Sequence, residues 1–499
     1  MEPTTAFDPH RRGSGVLLHP TSLPGPGIGD LGAASRRFVD WLERAGQSYW
    51  QILPHVPVGA GGSPYNGLSA LAGNPLLVSP ATLLDAGLLD EGEARGGDRL
   101  PADRVDYPAV LRWKNQILAR AHARLASGHD ALRTEFDAFR RANDEWLEDY
   151  ALFRALRDRF AEACWTRWPA ELRARDPVAI ARARAELAGE VDRFAFQQFL
   201  FDHEWRRLRR YAGARGVRIV GDLPIFVAHD SADVWANPEI FQLDADGEPR
   251  VVAGVPPDYF SETGQRWGNP LYRWDVLGQQ GYHWWVERFR RMFEMVDVVR
   301  IDHFRGFESY WEIPADAPTA IEGRWVEGPG ADFFRSVERQ LGHLPVIAED
   351  LGLITPAVEE LRDELAFPGM RVLQFAFNGD PGNPHLPENY PQLSVGYTGT
   401  HDNDTTTGWW RSAPPKARRQ VARRLGTEHP SSWDFIRAVF ESDAALTIIP
   451  LQDVLGLGSE ARMNTPGVPA RNWTWRIESL PSDEVAERLR DPARRAGRA

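Results

Sequence analysis

A single cysteine, Cys164, is present in 499 residues, which excludes an intrachain disulfide framework and fits a reducing compartment. Excess positive charge is missing as well. The net charge of −12 argues against a nucleic-acid or anionic-membrane partner, because phosphate binding needs a basic face. The basic stretch from Arg488 to Arg498 reads as a solvated helix end rather than a binding arm. No apolar run is long enough to span a bilayer, and Met1-Glu-Pro-Thr-Thr5 lacks the basic segment that precedes the apolar core of a signal peptide. A cytoplasmic location is expected. Nucleophile-elbow (GxSxG), P-loop (GxxxxGK[ST]) and zinc-protease (HExxH) patterns are absent, as are repeats with solenoid signatures.

What is present begins with 19 tryptophans, several in polar or Gly/Pro-rich stretches (Trp267, Trp274, Trp409, Trp410, Trp473, Trp475). Aromatic faces stack on the C–H faces of sugars and line ligand clefts, although most tryptophans serve packing. Eight strand-like runs alternate with helical stretches: Gly15–Pro20, Tyr49–His55, Val217–Asp222, Val296–Asp302, Pro345–Asp350, Met370–Phe375, Leu393–Thr400 and Ala445–Leu451. Eight such units point to an α/β fold, the (β/α)8 TIM barrel. Between the second and third runs, Arg, Ala, Glu and Leu recur at helical spacing, which predicts a large, mainly helical insertion over 81–216. A smaller loop subdomain is expected over 228–280, beside the active-site cleft, with the whole of 1–499 one catalytic domain. Gly27-Ile-Gly-Asp-Leu-Gly32 fits GxGxxG, but the next strand ends in Pro-His rather than an acid, so a dinucleotide site is rejected and Asp30 is expected to cap the helix. Asp244-Ala-Asp-Gly247 reads as a hairpin turn, since a calcium loop would need Glu where Val255 stands.

The ionisable residues gather at strand ends. Asp222 ends the third strand, Asp302 the fourth and Glu349 the fifth, and His401 and Asp402 follow the seventh. In a barrel these ends share one rim, so the acids converge. Crowded carboxylates repel, which raises at least one pKa and supplies the acid and the ionised nucleophile that retaining glycoside chemistry uses. Arg300, two residues before Asp302, shares its face of the strand and holds the carboxylate ionised. A structural ion pair and a divalent-metal site built on His303, His401 and the acids are the alternatives. The second is disfavoured by the competing Arg300 cation. Cys164 reads as a packed thiol.

Eleven motifs in order resemble the amylomaltases, or 4-α-glucanotransferases, of the α-amylase clan (glycoside hydrolase family 77). They are Leu18-His-Pro-Thr-Ser-Leu-Pro24, Trp50-Gln-Ile-Leu-Pro54, Ser63-Pro-Tyr65, Ala72-Gly-Asn-Pro-Leu-Leu77, Gly221-Asp-Leu-Pro-Ile-Phe-Val227 and Gly254-Val-Pro-Pro-Asp-Tyr-Phe260. The series continues with Gly264-Gln-Arg-Trp-Gly-Asn-Pro270, Arg300-Ile-Asp-His-Phe-Arg-Gly306, Ala348-Glu-Asp-Leu-Gly352, Gly399-Thr-His-Asp-Asn403 and Asn472-Trp-Thr-Trp-Arg476. The resemblance spans essentially the whole chain. It implies Asp302 as nucleophile, Glu349 as general acid/base and Asp402 as the third carboxylate, binding sugar hydroxyls and stabilising the oxocarbenium-like transition state. It further implies that Arg300 orients Asp302, that His303 and His401 bond sugar hydroxyls, that Tyr65 stacks on the reacting ring and that Asp222 buttresses the site. Tyr259 and Phe260 correspond to a lid over the acceptor side, with Gln265 and Trp267 lining the groove. Phe226 stands where many family members carry tyrosine, a mild departure. The implied reaction moves α-1,4-glucan segments between maltooligosaccharides or starch- and glycogen-type glucans, with glucose as an acceptor and no cofactor or metal. A hydrolase on the same site and a non-catalytic glucan-binding protein are the competing readings.

Overall fold

The computed structural model describes residues 7–59, 61–125, 127–257, 261–468 and 471–499. In chain order its strands are β1 (Gly13–Leu17), β2 (Tyr49–Gln51), β3 (Arg218–Pro224), β4 (Val251–Val255), β5 (Gln265–Pro270) and β6 (Val298–Asp302). There follow β7 (Ser309–Pro314), β8 (Arg324–Glu327), β9 (Val346–Ala348), β10 (Gly369–Val372), β11 (Ser394–Tyr397) and β12 (Leu446–Pro450). Eight of them close into a parallel barrel in the order β1-β12-β11-β10-β9-β6-β3-β2, and these are the eight runs expected from the sequence. The remaining four form a separate antiparallel sheet, β5-β4-β7-β8.

The barrel strands follow the two-residue period of a strand. Tyr49, Val220, Val298, Ile347, Met370, Val372, Val395, Tyr397, Leu446 and Ile448 pack together inside the barrel. Their neighbours Trp50, Ile219, Val299, Ile301, Val346, Ala348 and Ile449 belong to the apolar layer under the surrounding helices. On β6 the order is therefore Val298 in, Val299 out, Arg300 in, Ile301 out, Asp302 in. That alternation carries Arg300 and Asp302 up the same inner face to the rim.

Between β2 and β3 the chain is helical, with long helices at Tyr107–Leu125, Asp130–Ala142, Asp144–Arg159 and Ala188–Gly213. The barrel-side helices Ala33–Arg44, His283–Met295, Gly330–Leu341, Pro356–Glu364, Pro415–Leu425 and Ser432–Glu441 alternate with the strands as their apolar spacing implies. The glycine-rich loop before the first of these is built for close packing. A Cβ on Gly29 would fall 2.0 Å from the Pro20 carbonyl oxygen. Asp30 is not the helix cap. That position is Gly32, whose N–H donates to Asp30 Oδ1 at 2.9 Å. The Asp244–Gly247 turn forms as expected, with Leu243 bridged to Pro249 and Gly247 at φ 83°.

In the C-terminal basic stretch Arg488, Arg490, Arg494 and Arg495 are exposed, as a solvated helix end implies, but Arg498 is not. Helix Asp483–Arg495 packs Leu489 and Ala493 inward, and Arg498 is 2% exposed. The Arg498 guanidinium donates to the carbonyls of Phe440 at 2.7 Å, Ser442 at 2.8 Å, Ala445 at 3.1 Å and Gly13 at 3.4 Å. Gly13 starts β1 and Ala445 precedes β12, so one side chain clasps the seam where the barrel closes. Arg12 adds a bond to the Ser442 carbonyl at 3.1 Å. Replacing Arg498 by alanine strands buried carbonyls without donors, at a cost of about 3 kcal/mol. Arg498→Ala is expected to unfold at a distinctly lower temperature in a thermal melt with little change in far-UV circular dichroism. An unchanged midpoint would show that the clasp contributes nothing.

Candidate active site

The centre of the rim is a buried guanidinium. Register pairs Asp222 with Arg300 and Pro224 with Asp302 across β3 and β6. Arg300 Nη1 donates to both oxygens of Asp222, at 2.7 and 2.8 Å, and Nη2 lies 3.0 Å from Asp302 Oδ1. The Arg300 side chain is 4% exposed and Asp222 fully buried, whereas Asp302 still reaches the cleft at 28%. Burial works against the Arg300 charge, but Asp222 and Asp302 more than offset it and hold its pKa above the ordinary arginine value. The Tyr65 hydroxyl donates to Asp222 Oδ2 at 2.7 Å. Burial and the adjacent Asp222 raise the Tyr65 pKa well above normal, so the phenol stays a donor.

Glu349 stands one residue beyond β9, next to the end of β6, where its N–H bonds the Ile301 carbonyl at 3.1 Å. Its Oε2 accepts the His303 N–H at 2.6 Å and its Oε1 the Leu351 N–H at 2.9 Å. His303 presents that N–H from the left-handed region (φ 56°, ψ 48°), a conformation that costs a non-glycine residue about 1 kcal/mol. Desolvation is the largest influence on both catalytic candidates and pushes both carboxyls up, while Arg300 pulls both down. Asp302, in contact with the guanidinium, settles at about 6. Glu349 is raised further, to about 8, with the neighbouring Asp302 charge adding to burial. Arg300 thus limits the rise at Asp302 rather than taking it below the usual carboxylate range. At neutral pH one carboxyl is ionised and the other protonated.

Asp402 closes the third side. It is half-exposed, and its Oδ1 accepts from Asn464 Nδ2 at 2.6 Å and lies 3.4 Å from His401 Nε2. His401 stacks on Tyr65, with ring centroids 5.1 Å apart and planes at 14°. Tyr65 therefore presses against His401 while its hydroxyl holds Asp222. His303 is buried, its pKa lowered to about 3 by burial and then by Arg305, and its Nε2 has no partner. Trp267 meets His303 edge-on at 4.8 Å, and its Nε1 donates to Gln265 Oε1 at 3.2 Å. Phe226 sits among Trp267, Tyr272 and His303 in an apolar wall. Tyr259 and Phe260 lie outside the described residues. Among the described residues no set of three or more His, Cys, Asp or Glu side chains is grouped to hold a metal ion.

Four residues near the site escaped the sequence reading. Asn464 and Arg462 hold Asp402, the latter through its carbonyl at 2.6 Å, from the loop after β12. Trp473 packs against both Tyr65 (5.5 Å) and His401 (5.9 Å). Gln51, beneath the rim, accepts the Tyr397 hydroxyl at 2.9 Å. The strand-end rule finds side chains on the barrel itself. It does not find those that reach the site from a late loop, and of the four only Gln51 and Trp473 belonged to motifs singled out above.

Comparison with known proteins follows the same lines. The family model described as 4-alpha-glucanotransferase (glycoside hydrolase 77) matches residues 18–481. A 4-alpha-glucanotransferase of Thermus thermophilus is 51% identical, covering 96% of this chain and 97% of its own. The chloroplastic/amyloplastic 4-alpha-glucanotransferase of Solanum tuberosum is 46% identical, covering 97% of this chain and 86% of its own. The amylomaltase of Streptococcus agalactiae, solved in complex with acarbose, superimposes with a TM-score of 0.94 at 34% identity, over 98% of this chain and all of that one. The carboxylates at the barrel rim, the whole-length match and the superposition agree, and the chain belongs to the 4-alpha-glucanotransferase family.

Proposed function

We propose that this 4-α-glucanotransferase works by retaining double displacement. Asp302 attacks the anomeric carbon of the sugar at the cleavage point while Glu349 donates its proton to the departing 4-oxygen. A β-linked glycosyl ester on Asp302 results, and Glu349 is left ionised. Glu349 then takes the proton of an incoming 4-hydroxyl, which attacks the ester from the face the leaving group vacated and restores the α linkage and the free carboxylate. The observation that carries this reading is the different setting of two rim carboxyls: Asp302 lies 3.0 Å from the Arg300 guanidinium, whereas Glu349 is bonded by two backbone N–H groups and is raised further by burial and the Asp302 charge.

Asp402, with His401 and His303, is assigned to the hydroxyls of the reacting sugar. The unpartnered Nε2 of His303 supports its share, since a sugar hydroxyl satisfies that nitrogen. Asp222 is a positioning group, acting through Arg300, and Tyr65, bonded to Asp222 and packed on His401, is assigned to stack on the reacting ring. Gln265 and Trp267 line the acceptor side, and Tyr259 and Phe260 are assigned to a lid there. The segment 228–280 is accordingly the acceptor-side subdomain and 81–216 a helical subdomain on one catalytic domain. Donors and acceptors are α-1,4-glucans and maltooligosaccharides, glucose included among the acceptors. Aromatic side chains over the acceptor side favour a sugar hydroxyl over water at the ester. A cytoplasmic location is supported by the single cysteine, and among the described residues no helix is long and apolar enough to cross a membrane.

With maltotriose as sole substrate, glucose and longer oligomers are expected with little gain in reducing ends. Reducing ends rising in step with product would assign the site to hydrolysis. Rate against pH follows from the protonation states. Asp302 must be ionised, so kcat/KM falls as pH drops below about 6, and Glu349 must be protonated, so it falls as pH rises above about 8. A profile flat from pH 5 to 9 contradicts the assignment. Glu349→Gln is expected to lower turnover of maltotriose by roughly 10²- to 10⁴-fold. The same variant should still release fluoride from maltotriosyl fluoride, whose leaving group needs no acid. Asp302→Ala should fail with both substrates, and equal loss in the two variants would sink the division of roles.

A further inference from the structure

Six large apolar side chains stand out as exposed among the described residues, and two of them, Trp267 and Trp325, are indoles on the edge strands β5 and β8 of the antiparallel sheet. Trp325 is the better prepared of the two. It lies on β8, directly opposite Trp311 on β7. The Arg305 guanidinium stacks on the Trp325 ring 3.8 Å from its centroid, and Arg305 is only 4% exposed. The buried cation thus packs against the indole, while 41% of Trp325 stays open to solvent. Trp311 meets the ring edge-on at 5.2 Å and is itself fixed by Nε1 donating to the Ala320 carbonyl at 2.9 Å. A Cβ on Gly323 would fall 2.2 Å from the Trp311 ring nitrogen, so the turn between β7 and β8 closes on that indole only with glycine there.

Arg305 also couples this ring to the catalytic segments. It follows His303 by two residues, donates to the Leu353 carbonyl four residues beyond Glu349, and bonds Ser309 Oγ at 3.1 Å. The ring is therefore anchored to the two loops that carry the reacting groups, with one face backed and one edge fixed. Packing accounts for the inner face and the edge. The exposed part has no partner among the described residues to justify it, and an exposed indole on an edge strand is otherwise a liability.

We propose that Trp325 is a further sugar-binding subsite, a platform on which a glucosyl unit of a long α-glucan stacks outside the catalytic centre. The proposal rests on the glucan-transfer reading of the cleft. A flat indole suits the apolar C–H face of a pyranose, and an immobilised ring loses little entropy on binding. A chain threaded through the centre has further units to place beyond the reacting pair, whereas maltotriose is too short to gain much from a distant platform. The subsite therefore acts on preference for chain length.

The test compares kcat/KM for long amylose with that for maltotriose in Trp325→Ala, Trp325→Phe and the distant exposed control Val178→Ala. The ratio is expected to fall roughly three- to tenfold in Trp325→Ala. It should recover in part in Trp325→Phe, which keeps a ring on Arg305, and stay at the wild-type value in Val178→Ala. An unchanged ratio in the Trp325 variants, or an equal fall for both substrates, overturns the platform. An unchanged ratio accompanied by loss of self-association in sedimentation likewise overturns it, assigning the patch to contact between copies. Failure of the wild-type protein to disproportionate maltotriose would instead overturn the underlying reading.

Discussion

The Arg300 guanidinium, shut inside the barrel and shared between Asp222 and Asp302, is the interaction on which the site depends. An unpaired cation at that depth is costly, so the two carboxylates are as much a condition of the arginine as the arginine is of them. Asp222 takes two of its bonds and Asp302 one, which leaves the more exposed carboxylate with a free oxygen toward the cleft. Tyr65 bonds the far side of Asp222 and stacks on His401, and His401 lies beside Asp402. A chain of contacts thus runs from Arg300 inside the barrel to Asp302 and Asp402 on its rim. Removing one partner leaves a buried charge rather than merely a missing hydrogen bond.

Glu349 is kept apart from that network by geometry. Its oxygens are engaged by two backbone N–H groups, which favour the ionised form, yet desolvation and the Asp302 charge prevail and it holds its proton. The left-handed turn at His303 has a double effect. It aims one of those N–H groups at Glu349 and sets the imidazole, its Nε2 without a partner, against Phe226 and Trp267. Local backbone strain and an orphaned nitrogen meet at one residue, which is common where binding rather than packing has shaped a conformation.

Much of this was legible in the sequence because barrel strands obey a simple period. Val298, Val299, Arg300, Ile301 and Asp302 alternate in and out, and their neighbours at Asp222 and Glu349 do the same, so convergence at the rim followed from spacing alone. The antiparallel sheet was not legible. Its edge strand Gln265–Pro270 contains Gly268, Asn269 and Pro270 and is stabilised by pairing with 251–255, itself paired to the distant 309–314, rather than by its own composition. Asn464 and Arg462 lie more than sixty residues from the strand end they support, where no local pattern marks them. Arg498 was misread because a run of arginines ordinarily faces water. Its burial depends on carbonyls from two separate stretches of chain, Gly13 and 440–445, which no window of sequence reveals.

The seam held by Arg498 has a consequence for biosynthesis. β1 pairs with β2 soon after both have left the ribosome, but its other edge pairs with β12, about 430 residues later. At typical elongation rates that edge stays open for roughly half a minute. During that interval the nascent barrel presents an unsatisfied hydrogen-bonding edge, the kind of surface that templates pairing with other chains. Closure waits on β12, and the residue that seals it, Arg498, is made later still.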